Sequence, residues 1–168
     1  DSTGCAATRD GLAGRFATER GASARNREPL KECLADLDQL VRRDPVSEEA
    51  FSAYVTMNAR FHALLTELSA SAPLIRQIDR ASALPFASPS GFVMAQSALP
   101  EAQQILLIAQ DHHRIVVDAI ENREGARAEA IMREHARLAV RNLRLALRNR
   151  SHLDLLPALA LLTSTPAD

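Results

Sequence analysis

The feature that most constrains the fold of this chain is a pair of helical patterns in residues 110–142, each with a histidine on its apolar face. Residues recurring every three or four positions form one buried face of a helix. The first face comprises Leu106, Ala109, His113, Val116, Val117 and Ile120. The second comprises Ile131, His135, Leu138 and Asn142. Two long helices that turn polar groups inward are therefore predicted.

A third inward histidine is predicted within residues 51–65. The face at helical spacing there comprises Phe51, Val55, Asn58, His62 and Leu65. Asn58 and His62 are one turn apart, which places their Cβ atoms roughly 5–6 Å from each other. A buried imidazole needs partners for its ring nitrogens, because an unpaired buried polar group costs roughly 1–3 kcal/mol. Three histidines and an amide on three inward faces therefore predict that these groups meet at one point.

Such a meeting point suggests a metal site. Imidazole is the commonest protein ligand for metals, and three histidines with one oxygen donor leave room for water or a small acid. The competing interpretation is that each histidine is a core residue bonded to a backbone carbonyl. His112 also touches the apolar face by periodicity, so spacing alone does not choose between His112 and His113.

Composition favours packed helices in one domain. The chain has 168 residues, of which 46% are hydrophobic but only 4% aromatic, with no tryptophan. A core of Leu, Ile, Val and Ala suits helices better than strands, which are enriched in aromatic and β-branched residues. We therefore predict an all-α, antiparallel bundle of about six or seven helices.

The sequence pattern predicts where the helices begin and end. Helices are expected at about 4–20, from 26–29 to 43, and at 48–68, 73–83, 100–120 and 126–148, with a short helical piece at 92–97. Pro29 is expected in the first turn of the second helix, where its missing N–H is harmless. In the first helix the inward stripe comprises Cys5, Arg9, Leu12 and Phe16. A buried arginine is rare unless paired, so Arg9 either turns outward or meets an internal anion.

Charge and motifs exclude several classes of function. The formal net charge is −1, which gives no basic signature for nucleic acid within this chain. Neither a signal peptide nor an 18-residue apolar run is found, and two cysteines suit a reducing compartment, so a cytoplasmic protein without membrane contact is expected. Glycine-rich phosphate loops, G-x-S-x-G and H-E-x-x-H are absent. Because Asp111 and Glu134 project away from the neighbouring histidines, no acid is expected near the ligands, and no catalytic residue is predicted.

Three motifs in order resemble a known family. They are N-x-x-F-H, H-R-x-x-V-x-A-I-E-N-R-E and A-x-x-x-M-R-E-H. Together they resemble the FCD domain, the helical effector-binding half of GntR-type bacterial transcription regulators of the FadR subfamily, over about residues 12–147. In many members an Asp or Asn, a histidine four residues later and two further histidines bind a divalent metal. The resemblance puts Asn58, His62, His113 and His135 in those positions, which favours His113 over His112.

The resemblance also implies a ligand and partners. A small carboxylate effector would complete the coordination of the metal, for which zinc is expected and nickel, manganese or iron are alternatives. The usual effector-binding arginine aligns with Ala6, so Arg9, one turn later, is the expected anchor, because a guanidinium can hold a carboxylate through two hydrogen bonds. Asn142 is the second expected effector contact.

The implied organisation is that of a sensor. An FCD-like metal- and effector-binding domain is expected over residues 1–150, followed by an extension at 151–168. Contact with DNA would be made by a winged helix-turn-helix domain that this chain does not contain, and the protein would be a homodimer. The alternatives are a metal-dependent enzyme and a structural helical dimerisation module without ligand.

Overall fold

The protein is built from α-helices. A computed structural model describes residues 2–20, 23–42, 48–82 and 101–148, and side chains within 10–20, 23–42, 49–78 and 101–142. These ranges contain helices α1 (Ser2–Glu19), α2 (Ala24–Val41), α3 (Glu48–Leu68), α4 (Ala72–Ser82), α5 (Ala102–Glu121) and α6 (Gly125–Arg148). The described residues contain no strand, and the predicted all-α helical bundle is confirmed. The segments 92–97 and 151–168, for which a short helix and an extension were predicted, lie outside the described residues.

Helix α2 begins earlier than its proline suggests. The Ser23 hydroxyl accepts a hydrogen bond from the backbone N–H of Asn26 at 3.2 Å, which caps the helix one residue before Ala24. Pro29 therefore lies inside the helix and not in its first turn, so that part of the prediction is wrong. The cap stabilises the extra turn, because it satisfies one of the N–H groups that a helix start leaves unpaired.

Two short turns reverse the chain without glycine. Ala70, between α3 and α4, has φ 47°, and Arg123, between α5 and α6, has φ 61°. In the second turn the Glu124 N–H donates to the carbonyl of Ala119 at 2.8 Å, so the end of α5 is hydrogen-bonded. These connections make α5 and α6 consecutive antiparallel neighbours, as predicted for short links.

Helix α1 lies close against α6 through small residues. A Cβ atom at Gly11 would lie 3.0 Å from Cγ of Arg133 and 3.2 Å from the carbonyl oxygen of Glu129. Gly14 faces Ala128 in the same way, at 3.4 Å from its Cβ. Small side chains on both helices therefore allow their backbones to approach.

The inward face of α1 differs from the predicted one. Its fully buried hydrophobic residues are Ala13 and Ala17, whereas Leu12 and Phe16 are only partly buried. The prediction followed the largest apolar residues, but close approach to α6 selects the smallest ones. The side chains of Cys5 and Arg9 lie outside the described residues.

The core is continuous across the bundle. Helix α1 packs most extensively on α6, α2 packs on α3, and α1 also touches α3 and α5. The largest fully buried side chains include Tyr54 and Phe61 of α3, with Leu30, Leu37, Leu65, Leu106 and Met132 around them. The aliphatic core thus surrounds the segment of α3 that carries His62. No helix in the described part of the chain has the length and hydropathy needed to cross a membrane.

Candidate metal centre

Three histidines from three helices meet in the interior. His62 comes from α3, His113 from α5 and His135 from α6. The ring centroids lie 5.5 Å apart for His62 and His113, 5.3 Å for His62 and His135, and 4.7 Å for His113 and His135. One ring nitrogen of each lies within 4.8 Å of those of the other two. Each helix therefore contributes one imidazole to a shared point.

The spacing of these nitrogens suits a metal ion. Metal–nitrogen bonds of about 2.1 Å in a tetrahedral site hold their nitrogens roughly 3.4 Å apart. The observed separations are at most 4.8 Å, so the three nitrogens lie close enough together to surround a single ion. The exposed fractions of His62, His113 and His135 are 8%, 0% and 9%, so little water competes for the site.

Each of the three rings has a buried nitrogen without a hydrogen-bond partner in the described part of the chain. Among the described residues, Nε2 of His113, Nδ1 of His135 and both ring nitrogens of His62 make no hydrogen bond. An unpaired buried polar atom is costly, and three histidines that leave such atoms at one point are unusual for a purely structural core. A metal ion would use these lone pairs, so the donor set fits the group that the resemblance implies.

Burial keeps two of the rings neutral. Burial lowers the pKa of His113 well below its usual range, and the neighbouring His135 and His62 lower it further. Burial also lowers the pKa of His135, with a smaller effect of His62. A metal binds the neutral form of imidazole, so this environment favours the form that a ligand requires.

His113 is held by a buried amide that the sequence analysis did not identify. Its Nδ1 lies 3.0 Å from Oε1 of Gln110, which is fully buried one turn earlier on α5. The Nε2 atom of Gln110 donates to Oδ1 of Asp38 on α2 at 2.7 Å. Gln110 lies three residues before His113 on the same helix. That spacing could have indicated the contact between the two side chains.

His62 lies beside an acid that the sequence analysis also missed. Oδ2 of Asp10, on α1, is 3.3 Å from Nδ1 of His62, an ion-pair distance without a hydrogen bond. The prediction that no acid lies near the histidines is therefore wrong. Asp10 precedes Ala13 and Ala17 by three and seven residues, so it belongs to the small-residue face that the predicted stripe passed over.

The structure distinguishes the two adjacent histidines of α5. His113 is fully buried within the group of three, whereas His112 is only partly buried. The His112 ring lies 5.9 Å from that of His135, at the edge of the group. Phe61 packs on the ring of His113, with 4.2 Å between the two ring centroids.

The remaining predicted site residues have different environments. Asn58 and Asn142 are both 2% exposed, and Nδ2 of Asn142 has no hydrogen-bond partner within the described part of the chain. The side chain of Arg9 lies outside the described residues, so its predicted contact with an effector stays a prediction. Asp111 and Glu134 are exposed, as predicted.

A known family model matches most of the chain. The family model described as the FCD domain matches residues 10–138. The chain therefore belongs to the FCD domain family, the helical effector-binding domains of GntR-type transcription regulators. No curated protein gives a significant match.

Proposed function

We propose that this domain senses a small organic acid through a bound divalent metal and thereby modulates DNA binding by a GntR-type regulator. The observation that carries the proposal is the meeting of three buried imidazoles, each from a different helix, within 4.8 Å. The match to the FCD family supports the regulatory role. On this proposal the domain is a binding module and not an enzyme.

The proposed metal ligands are His62, His113 and His135, with Asn58 as the oxygen donor. Asn58 precedes His62 by one helical turn and is buried, which supports its inclusion. Zinc suits a site of three imidazoles and one oxygen, and nickel, manganese or iron would also accept these ligands. When bound, the metal would supply a positive charge and an open position for an acid oxygen.

The proposed effector is a small carboxylate that fills this open position. Asn142 supports it, because its buried Nδ2 is a donor without a partner among the described residues. Arg9 remains the proposed charged anchor, since a guanidinium can bind a carboxylate through two hydrogen bonds. The protein's own contribution would be to orient the acid and to exclude water from a site whose three imidazoles are at most 9% exposed.

The proposed mechanism is a shift between two helix arrangements. An effector bound to a metal that α3, α5 and α6 hold would favour the arrangement in which these helices are closest. It can do so only if its affinity for that arrangement exceeds its affinity for the other one. In a homodimer this would change the spacing of two winged helix-turn-helix domains on DNA. A regulator that binds bacterial DNA acts in the cytoplasm, so the proposal includes a cytoplasmic location. It also includes a domain boundary near residue 150.

Metal binding is the first test. Calorimetric titration of the purified protein with Zn²⁺ should give one site per chain, and His135→Ala should weaken binding at least tenfold because a ligand is lost. His112→Ala is the matched control, since His112 adjoins the site but lies outside the group of three, and it should bind Zn²⁺ like the unchanged chain. Equal loss in both variants, or no Zn²⁺ uptake by the unchanged chain, contradicts the proposed site.

Regulation needs a second test. Operator binding by a protein that carries this domain together with its DNA-binding domain should change when candidate acids are added to the metal-loaded form. The proposal fails if no acid that binds the loaded domain alters DNA binding.

One observation supports an enzymatic alternative. Asp10 puts a carboxylate 3.3 Å from Nδ1 of His62, and a carboxylate near a metal-bound water can act as a general base. The geometry favours a role in orienting His62, because this carboxylate faces the ring of His62 itself. Hydrolysis of ester and phosphoester substrates by Zn²⁺-loaded protein would support the enzyme if Asp10→Asn abolished it at a Zn²⁺ concentration that saturates both proteins.

A further inference from the structure

We infer that Gln110 and Asp38 determine which ring nitrogen of His113 carries the proton, and so leave Nε2 free to bind the metal. The inference rests on the proposed metal site and adds two positioning residues to it. One of them, Asp38, lies on α2, a helix that contributes none of the proposed ligands.

The orientation of the Gln110 amide follows from its neighbours. One end of the amide lies 2.7 Å from Oδ1 of Asp38 and 3.2 Å from the carbonyl oxygen of Leu34. Both neighbours are oxygens that accept hydrogen bonds, so this end must be the NH₂ group. The other end, which faces His113, is therefore the carbonyl oxygen Oε1.

The proton on His113 follows from the same logic. Oε1 of Gln110 lies 3.0 Å from Nδ1 of His113, and a carbonyl oxygen can only accept. Nδ1 must therefore carry the hydrogen and donate it. In a neutral imidazole the other nitrogen then has the lone pair, and Nε2 of His113 is the buried atom that lacks a partner among the described residues.

Asp38 is itself fixed by a cation. Its Oδ1 accepts from Nε of Arg114 at 2.9 Å and lies 2.7 Å from Nη2 of the same side chain. Arg114 and Asp38 are partly exposed, whereas Gln110 and His113 are fully buried. A chain of hydrogen bonds thus runs from the surface pair through Gln110 to the buried ring.

Loss of these hydrogen bonds should weaken metal binding without removing a ligand. A neutral imidazole with no neighbour to orient it populates both tautomers and several ring rotations, of which a metal accepts one. Residues that orient a metal-binding histidine in this way typically contribute a factor of about 10–100 in affinity. We therefore expect Gln110→Met, which keeps the length of the side chain but removes its oxygen, to weaken Zn²⁺ binding by about that factor.

The direct readout is the tautomer. Long-range ¹H–¹⁵N correlation spectra of the metal-free protein, at a pH where the ring is neutral, should show His113 protonated at Nδ1 and unprotonated at Nε2. Gln110→Met should give a mixture of both tautomers. The matched control is Gln104→Met, the same change at an exposed position of α5, and it should alter neither the His113 signals nor the affinity for Zn²⁺.

A double variant tests the mechanism further. Gln110→Glu combined with Asp38→Asn exchanges the amide and the carboxylate, so that an acceptor oxygen still faces Nδ1 and the new amide at position 38 can donate to the new carboxylate. The hydrogen bond to the Leu34 carbonyl is lost in this variant. We expect it to restore the Nδ1–H tautomer that Gln110→Met loses, and a mixture of tautomers in the folded double variant would contradict the inference.

The outcomes separate this inference from the proposed function. Protonation of His113 at Nε2 in the unchanged chain overturns the inference, and this measurement holds even if Gln110→Met does not fold. The inference also fails if folded Gln110→Met keeps both the tautomer and the affinity, or loses affinity with the tautomer unchanged. If the unchanged chain carries Nδ1–H but binds no Zn²⁺, the metal-sensing function fails while the assignment of the proton stands.

Discussion

At the scale of single residues, the neighbours of the histidines matter as much as the histidines themselves. The proposed oxygen ligand Asn58 is neutral, so the proposed ligand set of one amide and three imidazoles carries no negative charge. Asp10 supplies a carboxylate nearby, with Oδ2 3.3 Å from Nδ1 of His62. With Nδ1 of His62 protonated and facing Asp10, its Nε2 would be free to bind the metal.

This arrangement predicts an effect of Asp10→Asn. The substitution removes the charge that favours an Nδ1–H on His62, so the affinity for Zn²⁺ should fall by about 10-fold or more. Calorimetric titration with Zn²⁺ measures the effect. Asp36→Asn, the same change at an exposed position of α2, serves as the control and should leave the affinity unchanged. A loss of equal size in both variants would mean that general charge, and not the contact with His62, is responsible.

The buried rings also predict how the stability of the metal-free protein depends on pH. The pKa values of His113 and His135 are lowered by burial, so below about pH 6.5 the unfolded chain binds more protons than the folded protein. The neutral rings therefore contribute fully to the free energy of unfolding above that pH. This contribution is lost as the pH falls toward the lowered pKa values of the two histidines. Urea unfolding at about pH 8 and about pH 5.5 measures the difference.

A variant identifies the source of this pH dependence. His113→Leu removes one of the two groups, so the free energy of unfolding should depend less steeply on pH than in the unchanged chain. If the free energy of unfolding depends on pH as steeply in the variant as in the unchanged chain, other groups cause the acid sensitivity.

At the scale of helices, periodicity predicted some faces well and others poorly. On α5 the predicted face is buried almost throughout, because large apolar residues there pack against several helices. On α1 the rule failed, since the residues shown closest to α6 are the glycines Gly11 and Gly14. Apolar periodicity finds a face that is buried by large side chains, and it misses one that is buried by the approach of two backbones.

The close contact of α1 and α6 predicts a stability difference between two similar substitutions. Ala128 is fully buried and faces Gly14, so Ala128→Leu inserts three carbon atoms where no space exists and should destabilise the protein by about 1–3 kcal/mol. Ala126→Leu, at an exposed position of the same helix, should change stability by less than about 0.5 kcal/mol. Chemical denaturation measures both, and similar losses would contradict the close packing of these helices.

At the scale of the whole molecule, the proposed site joins elements that are distant in the chain. His62, His113 and His135 belong to three helices, and Asp10 and Asp38 connect the remaining long helices, α1 and α2, to two of these rings. A metal bound there would link α3, α5 and α6 directly. Its binding free energy would therefore act on the stability of the bundle as a whole.

Thermal unfolding tests this linkage. Free Zn²⁺ at 100 times its dissociation constant should stabilise the folded protein by about 2.7 kcal/mol, which raises the melting temperature by about 5–11 °C for a chain of this length. A chelator should reverse the shift. The double variant His62→Ala with His113→Ala should show no shift, and a shift of the same size in that variant would place the stabilising metal elsewhere.

Apolar periodicity is a local property of the chain, so it was sufficient to predict the helical class, the approximate helix bounds and the histidines that face inward. It left His112 and His113 undistinguished until the resemblance to a family was used. Two further contacts, that of Asp38 with Gln110 and that of Asp10 with His62, became visible in the folded structure alone. Those contacts join α2 to α5 and α1 to α3, and their distances depend on how the helices pack, which no spacing along a single helix encodes.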